Sequence, residues 1–479
     1  MKTSRVLVRA KKGVSTLRAP TQQNSIFTRA ASSSSSSASA CSSSAIITSR
    51  TQLRRQIIPG RLTTHPIRSR RSYASAPQNE PLNKTPLYDL HVAYGAKMVP
   101  FGGFHMPVQY AGQSVVGEHK FTRSNASLFD VGHMVQHRFE GPGVTAFLQR
   151  ITPAGLEKLE YNSSTLSALL WPGTGGIVDD TIITKLGDES YYVVTNAACR
   201  DKDLAYLSQH LAQWREEGRP PVDHKVLEGQ GLIALQGPTA ADYLTQILAN
   251  PEEASLSTLY FGQCRYVAVK VEGGREVSDI LVSRGGYTGE DGFEISIPPA
   301  DTVAVTEALL KVPLPEKLRF AGLGARDSLR LEAGMCLYGH DLDDTTTPVE
   351  GALSWIIGKD RRDETALEKG AFYGADVVLQ KLKPKSKGGL GVERRRVGLV
   401  VEGAPAREGA EILDAEGQKI GVVTSGCPSP SLGQNIAMGY VKDGLHKAGT
   451  EVQVQVRGRG RKAIITKMPF LPSKYYKGA

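Results

Sequence analysis

Three stretches concentrate the groups capable of chemistry in this 479-residue chain. In the first, Gly175–Thr184 (GGIVDDTIIT), two adjacent carboxylates interrupt an otherwise apolar run. Successive side chains of a strand point to opposite faces, so Asp179 and Asp180 do not share one pocket. A buried carboxylate without a partner is costly, so the inward one must meet a donor or a ligand. The second, Gly322–Gly334 (GLGARDSLRLEAG), has Gly322, Ala325, Arg326, Leu329 and Ala333 on one helical face. Arg326 then lies among small apolar residues, with Asp327, Arg330 and Glu332 elsewhere. A buried guanidinium requires a carboxylate or an anionic ligand, so a structural ion pair and a binding role both stand. The third, Gly285–Ile297 (GGYTGEDGFEISI), is a Gly-rich loop entering a strand. There Phe293, Ile295 and Ile297 share one face while Glu294 and Ser296 share the other. On spacing alone, Glu294 either faces solvent or serves a site.

Other chemistries lose their footing by what is missing. The chain has no GxxxxGK[ST] phosphate loop, no GxSxG elbow, no HExxH and no GxGxxG between a strand and a helix. Cys41, Cys199, Cys264, Cys336 and Cys427 form no CxxC pair, which argues against a zinc site or a disulfide framework. The basic run Arg457–Lys462 (RGRGRK) suggests RNA contacts, but VQVQV before it and AIITK after it alternate like paired strands. The glycines then make a turn and the charges are solvated.

Elements of both kinds must position these groups, so an α+β class is expected. Strands are predicted over Asp130–Phe139, Gly176–Lys185, Tyr191–Asn196, Tyr266–Val271 and Phe293–Ile297, the second and third as a hairpin. Helices are predicted from Ala240 behind Thr239, and across Val305–Val312 behind Asp301 as N-cap. The polar stretch Asp360–Arg396 reads as an inter-domain linker. Beyond it, alternation predicts short strands at Val397–Val401, Gln418–Thr424, Ile436–Tyr440, Glu451–Val456 and Ala463–Lys467, a small antiparallel barrel or sandwich. No stretch approaches the roughly 20 apolar residues of a bilayer-spanning helix.

The charge balance has a separate origin. Residues 1–76 hold fourteen Lys or Arg and no Asp or Glu, and Ser runs interrupt them. That composition marks an organelle transit peptide, and Arg71 placed ahead of Ala74 suits a matrix-peptidase cut that ends the segment at residue 73. A disordered import segment over 1–73 and a mitochondrial matrix location are therefore expected. Taking the fourteen from the 58 basic residues leaves 44 against 48 acids. The folded body is thus mildly acidic, which removes the argument for nucleic acid as a partner.

Taken together, Lys84–His91 (KTPLYDLH), Leu128–Met134 (LFDVGHM), GGIVDD, GYTGEDGFEIS, LGARDSLRLEAGMCLYG, Thr346–Trp355 (TTPVEGALSW), Thr424–Leu432 (TSGCPSPSL) and Lys467–Tyr476 (KMPFLPSKYY) resemble the aminomethyltransferase family, the T-proteins of glycine cleavage. The resemblance implies a three-domain cloverleaf: a folate-binding region of two intertwined domains over 84–358, a linker or insertion over 359–393, and a C-terminal β-barrel over 394–476. It implies transfer of an aminomethyl group from the lipoyl arm of a partner, H-protein, to tetrahydrofolate. Ammonia is released, 5,10-methylenetetrahydrofolate forms, and no metal takes part. Carried over by position, Asp180 matches the catalytic carboxylate. Glu294 matches the residue pairing with the pterin, and Arg326 and Tyr475 match substrate-binding positions. Met134, Leu166, Tyr192, Val194, Asn196, Tyr287 and Trp355 match the lining of the folate cavity, and Arg396 an arginine at the entrance or partner side. Two related families fit less well. The folate half of dimethylglycine and sarcosine dehydrogenases follows a flavin domain for which this chain has no fingerprint. A non-catalytic iron–sulfur assembly factor of the same fold carries KGCYxGQE where this chain reads RGGYTGEDG.

Overall fold

The computed structural model describes residues 81–362 and 371–478. The expected import segment lies outside them, as do residues 363–370 of the expected linker. The described chain opens with α1 (Tyr88–Ala93) and a hairpin, β1 (Ala96–Phe101) and β2 (Phe104–Tyr110). Helix α2 (Val115–Ser124) follows, its first turn capped by the Ser114 hydroxyl, which accepts from the Gly117 N–H at 3.0 Å. Next come β3 (Ser127–Asp130), β4 (Val135–Glu140), α3 (Val144–Ile151), β5 (Ser163–Leu170), β6 (Ile177–Gly187), β7 (Ser190–Thr195), α4 (Arg200–Glu216) and β8 (Asp223–Val226). A second run holds β9 (Gly231–Gln236), α5 (Ala240–Ile247), β10 (Cys264–Lys270), β11 (Glu276–Arg284), β12 (Gly292–Ile297), α6 (Thr302–Leu310), β13 (Arg319–Phe320) and α7 (Leu323–Glu332). After α8 (Ala375–Leu382) the barrel strands are β14 (Arg394–Val401), β15 (Glu411–Leu413), β16 (Lys419–Pro428), β17 (Asn435–Lys442), β18 (Glu451–Val456) and β19 (Arg459–Thr466).

Two sheets carry the main body. One is five-stranded and antiparallel, ordered β5-β6-β7-β4-β8; the other is six-stranded, ordered β10-β11-β12-β9-β3-β13, with β13 parallel to β3. The outer face of the first packs on α3 and α4 through Phe139, Phe147, Tyr191 and Trp214. That of the second packs on α5 and α6 through Phe293, Ile295, Tyr243 and Leu309. Their inner faces meet through Phe129, Tyr192, Val194, Leu232 and Leu281, with Ala325 and Leu329 of α7. The third unit is a closed antiparallel barrel, β14-β17-β16-β15-β18-β19, filled by aliphatic side chains. The α+β class and the C-terminal barrel are as the pattern predicts. Arg457 and Gly458, at φ +52° and +74°, form the two-residue turn between β18 and β19, so the basic run starts at an exposed hairpin tip and continues into β19, where Arg461 is half-buried.

Three local expectations are corrected. The strand expected over Asp130–Phe139 is broken at 131–134, because the Asp130 carboxylate accepts from the Gly132 N–H at 2.8 Å and so turns the chain. Asp301 stands at the start of α6 but does not cap it; its carboxylate pairs with Arg275 at 2.6 Å instead. The stretch Asp360–Arg396 is not a solvated linker where it is described. Phe372, Ala375, Val378, Leu379 and Val392 join a core with Leu170, Ile177 and Leu353. Here Gly374 (φ +69°) sits back to back with Gly175 (φ +66°), and a Cβ on Gly374 would lie 2.3 Å from Gly175. That approach fixes the turn from which β6 departs. Four buried thiols, Cys199, Cys264, Cys336 and Cys427, form no disulfide among the described residues.

Candidate active site

Strand alternation builds a cleft between the two sheets. On β6, Asp180, Ile182 and Thr184 share a face by their spacing of two; Ile182 is paired with Val194 and Thr184 with Tyr192 of β7. Leu166 of β5 lies opposite Ile182 and Ala168 opposite Asp180. From the other sheet come Leu232 of β9, Leu281 and Ser283 of β11, and Glu294 and Ser296 of β12. The enclosed part is small, about 20 Å³, room for about one water molecule. Gln136, missed in the sequence, bonds two of its lining side chains. It is 2% exposed, and its Oε1 accepts from the Tyr192 hydroxyl and the Ser296 hydroxyl, each at 2.7 Å. No sequence signal marks it, since its place depends on the pairing of Gln136 with Val194.

The two aspartates occupy different surroundings, as strand parity requires, yet both touch Asn196 at the end of β7. Asp179 is wholly buried and accepts from the Asn196 backbone N–H at 2.8 Å and from its Nδ2 at 2.9 Å. Asp180 is half-buried, and its Oδ1 accepts from the same Nδ2 at 3.0 Å. Burial, together with the Asp179 charge, pushes the Asp180 carboxyl up to about 7. A group of that acidity takes up and gives back a proton near neutrality. Among the described residues, one group of side chains has the spacing to hold a metal ion, Asp179, Cys199 and Asp203.

Across the cleft, Arg326 on α7 lies over the Tyr287 ring, 4.7 Å from its centroid, while the Tyr287 hydroxyl donates to the Cys336 carbonyl. The Arg326 Nη1 is buried without a hydrogen-bond partner. Burial lowers the pKa of this guanidinium against the nearby Glu294 charge, and burial raises that of Glu294 despite Arg326. An open donor and an electrostatically linked carboxylate suit a polar heterocycle with N–H groups on one edge. Asp180 and Arg326 both act on Tyr287 electrostatically, which ties the two sides of the cleft together.

The remaining expected residues divide. Met134, Leu166, Tyr192, Val194 and Asn196 line or adjoin the cleft. Tyr475 stacks on Phe261, ring centroids 4.0 Å apart, and Lys474 beside it ties the tail to the Gly-rich loop through the Gly289 carbonyl and Glu290. Trp355, expected in the cavity lining, is 61% exposed. Arg396, expected at an entrance or partner surface, is only 8% exposed; it donates to the carbonyls of Gly351 and Gly334. It fastens the first barrel strand to the loop after α7. The sequence also placed Arg330 and Glu332 away from the buried face of α7, and both are buried. Arg330 pairs with Asp341 at 2.7 Å; Glu332 accepts from Arg123, Ser429 and Ser431. The helix is embraced on two sides, by the sheets and by the barrel, so a single apolar stripe understates its buried surface.

Two family models match the chain: the GCVT N-terminal domain over residues 87–361, and the glycine cleavage T-protein C-terminal barrel domain over 394–471. This chain belongs to the glycine cleavage T-protein family. A probable mitochondrial aminomethyltransferase of Schizosaccharomyces pombe is 49% identical over 84% of this chain and 97% of its own length. The mitochondrial aminomethyltransferase of Pisum sativum is 46% identical over 85% and 93%. The crystal structure of the glycine cleavage system aminomethyltransferase T from Bartonella henselae matches with a TM-score of 0.71. It is 37% identical, and the match covers 83% of this chain and all of that one. A T-protein is a transferase of one-carbon groups, and the α+β body with its closed barrel is the family's fold.

Proposed function

We propose that this T-protein takes the aminomethyl group from the lipoyl arm of H-protein, releases ammonia, and forms methylenetetrahydrofolate in the cleft between the two sheets. The observation that carries the reading is the unpartnered Nη1 of Arg326, electrostatically linked to the half-buried, raised Glu294 and packed over Tyr287, on which Asp180, poised near neutrality, also acts. Tetrahydrofolate is the co-substrate that fits them. Its pterin offers amino and ring N–H donors to the Glu294 carboxylate, and Arg326 supplies the open donor. Tyr287, Met134, Leu166, Tyr192, Val194 and Asn196 serve as walls, Tyr475 as an aromatic element beside the Gly-rich loop, and Trp355 as a contact for the exposed part of the folate. Arg396 acts by holding the barrel against these walls. Names of relatives as mitochondrial, with the acid-free first 76 residues, support the matrix as its location.

Asp180 is assigned the proton chemistry. The carbon leaves a sulfur and a nitrogen and ends bonded to two folate nitrogens. The two folate N–H protons leave as those bonds form, one going to the ammonia and one to the lipoyl sulfur. A folate nitrogen becomes cationic as it bonds to carbon; an adjoining carboxylate stabilises that charge and accepts the proton. The expected result with Asp180→Asn is a kcat lower by about 100-fold or more with folate binding retained. Ammonia release from aminomethylated H-protein, with and without tetrahydrofolate, measures this; near-normal turnover of the variant would sink the assignment. Folded wild-type protein releasing no ammonia would instead indicate a scaffold of the same fold.

A further inference from the structure

Behind Asp180 lies a second acidic cluster that the reaction above does not use. Asp179, Cys199 and Asp203 are 0%, 5% and 0% exposed, and one ligand atom from each lies within 4.8 Å of the others. Asp179 accepts from Asn196 through its backbone N–H and its Nδ2, one bond to each oxygen, which leaves acceptor sites open. Both oxygens of Asp203, in the first turn of α4, lack a hydrogen-bond partner. Two carboxylates this close in a dry site do not both ionise; the economical arrangement is one proton shared between them. We propose that Asp203 is a neutral carboxylic acid donating to Asp179, and that this pair is a positioning support which fixes Asn196 and, through it, the Asp180 carboxylate.

The chain of contacts is continuous. The Asn196 amide nitrogen reaches Asp179 Oδ1 at 2.9 Å, Asp180 Oδ1 at 3.0 Å and the Asp180 carbonyl at 3.2 Å. Its orientation follows from those neighbours, since the flipped amide would set an oxygen against two carboxylates. The pair also sets a charge. With one proton shared it presents a single negative charge to Asp180, while Asp341, held ionised beside Arg330, adds a second. Tyr287 and Cys336 face Asp180 and, with their pKa values raised by burial, stay neutral through physiological pH. Around the pair itself stand Cys199 and Tyr338, both likewise raised, and the Lys202 ammonium. Burial and the Asp179 charge push Asp203 up to about 10, in keeping with a neutral acid there.

The positioning role rests on Asp180 being the proton-transfer group; the protonation state does not, so the two are tested apart. Difference infrared spectra of the full protein at pH 8.5 should show a protonated carboxyl stretch in the wild type that disappears in Asp203→Asn. A wild-type-minus-variant difference without that stretch overturns the proposal whatever the catalytic role of Asp180. In pH–kcat profiles, Asp203→Asn replaces a neutral donor by a neutral donor, so the acid limb should stay in place. Were both acids ionised, the variant would carry one charge fewer and the limb would move to lower pH, which also overturns it. Asp203→Leu, lacking any donor, should lose about tenfold in kcat with little change in the KM for folate, and Asp203→Asn should recover most of that loss; equal activity of the two variants counts against a positioning role. Elemental analysis closes the test: a stoichiometric metal ion in the purified protein would put a cation where the proton is assigned and overturn the inference.

Discussion

Asp180 is held in a state that costs stability. Its carboxyl titrates at about 7 in the folded protein against an ordinary 3.8. Between those values the unfolded chain is ionised while the native one retains its proton, so stability falls as pH rises from about 4 to about 7 and stays lowered above. Asp180→Asn removes the titration. Its thermal midpoint is therefore expected to gain on the wild type as pH rises through that window, with the difference levelling off above pH 7. Parallel melting curves at pH 5 and pH 8 measure this, and an equal offset at both would contradict the raised carboxyl. At Glu294 the expected change is one of binding. Glu294→Ala removes the acceptor proposed for the pterin edge and weakens tetrahydrofolate by about tenfold or more, read by calorimetric titration. At this scale the sequence was informative about residue type and strand face: parity alone separated Asp179 from Asp180, and it set Glu294 and Ser296 on one face. Distances across strands were beyond it, which is why Gln136 and the contact of Asp203 with Asp179 were not legible.

Helix α7 is the element on which the site most depends, because it supplies Arg326 to the cleft and, through the buried Arg330 and Glu332, takes hold of the barrel and α2. Burial alone would raise Glu332, but bonds from His119 and Ser429 and the charge of Arg123 bring it down to about 2. Arg330 reaches Asp341 and the Ser425 hydroxyl on β16. Arg330→Met leaves Asp341 as a buried, uncompensated charge and is expected to destabilise the protein by about 3–5 kcal/mol. Adding Asp341→Asn should recover part of that loss in thermal unfolding; an additive further loss would show that the two do not act as a pair. Elements with clean periodicity were readable from their residues, among them the β6–β7 hairpin, α5, α7 and the barrel strands. The Val131–Met134 turn was not, since it follows from where one carboxylate finds its donor. Nor was β15, whose three residues are too short to show alternation. Helix α8 (ADVVLQKL) hid because its short apolar run lies inside a stretch otherwise rich in charge, Pro and Gly.

The molecule as a whole sets three cores around one cleft: helix-backed sheets on either side, and a barrel fastened by Arg330, Arg396 and the tail through Lys474. The family's architecture was legible in its ordered motifs, whereas the exposure of Trp355 and the burial of Arg396 depend on how distant segments close over one another. The four buried cysteines acquire a meaning on this scale. Burial raises the pKa of each, Cys264, Cys336 and Cys427 to about 12 and Cys199 higher still. Exchange with a disulfide requires an accessible thiolate. An enzyme proposed to work on a sulfur-bearing arm thus keeps these four thiols out of reach of mixed-disulfide traps. They are also spread through the body, with Cys199 and Cys336 in one core, Cys264 between the sheets and Cys427 against the barrel. Reaction with a disulfide reagent should therefore be slow at all four in the native protein and fast in denaturant, with peptide mapping to separate them from Cys41. Rapid native labelling of Cys264 alone would report that the two sheets part without the barrel opening. The cysteines then serve as clocks, each timing the breathing of the core that encloses it.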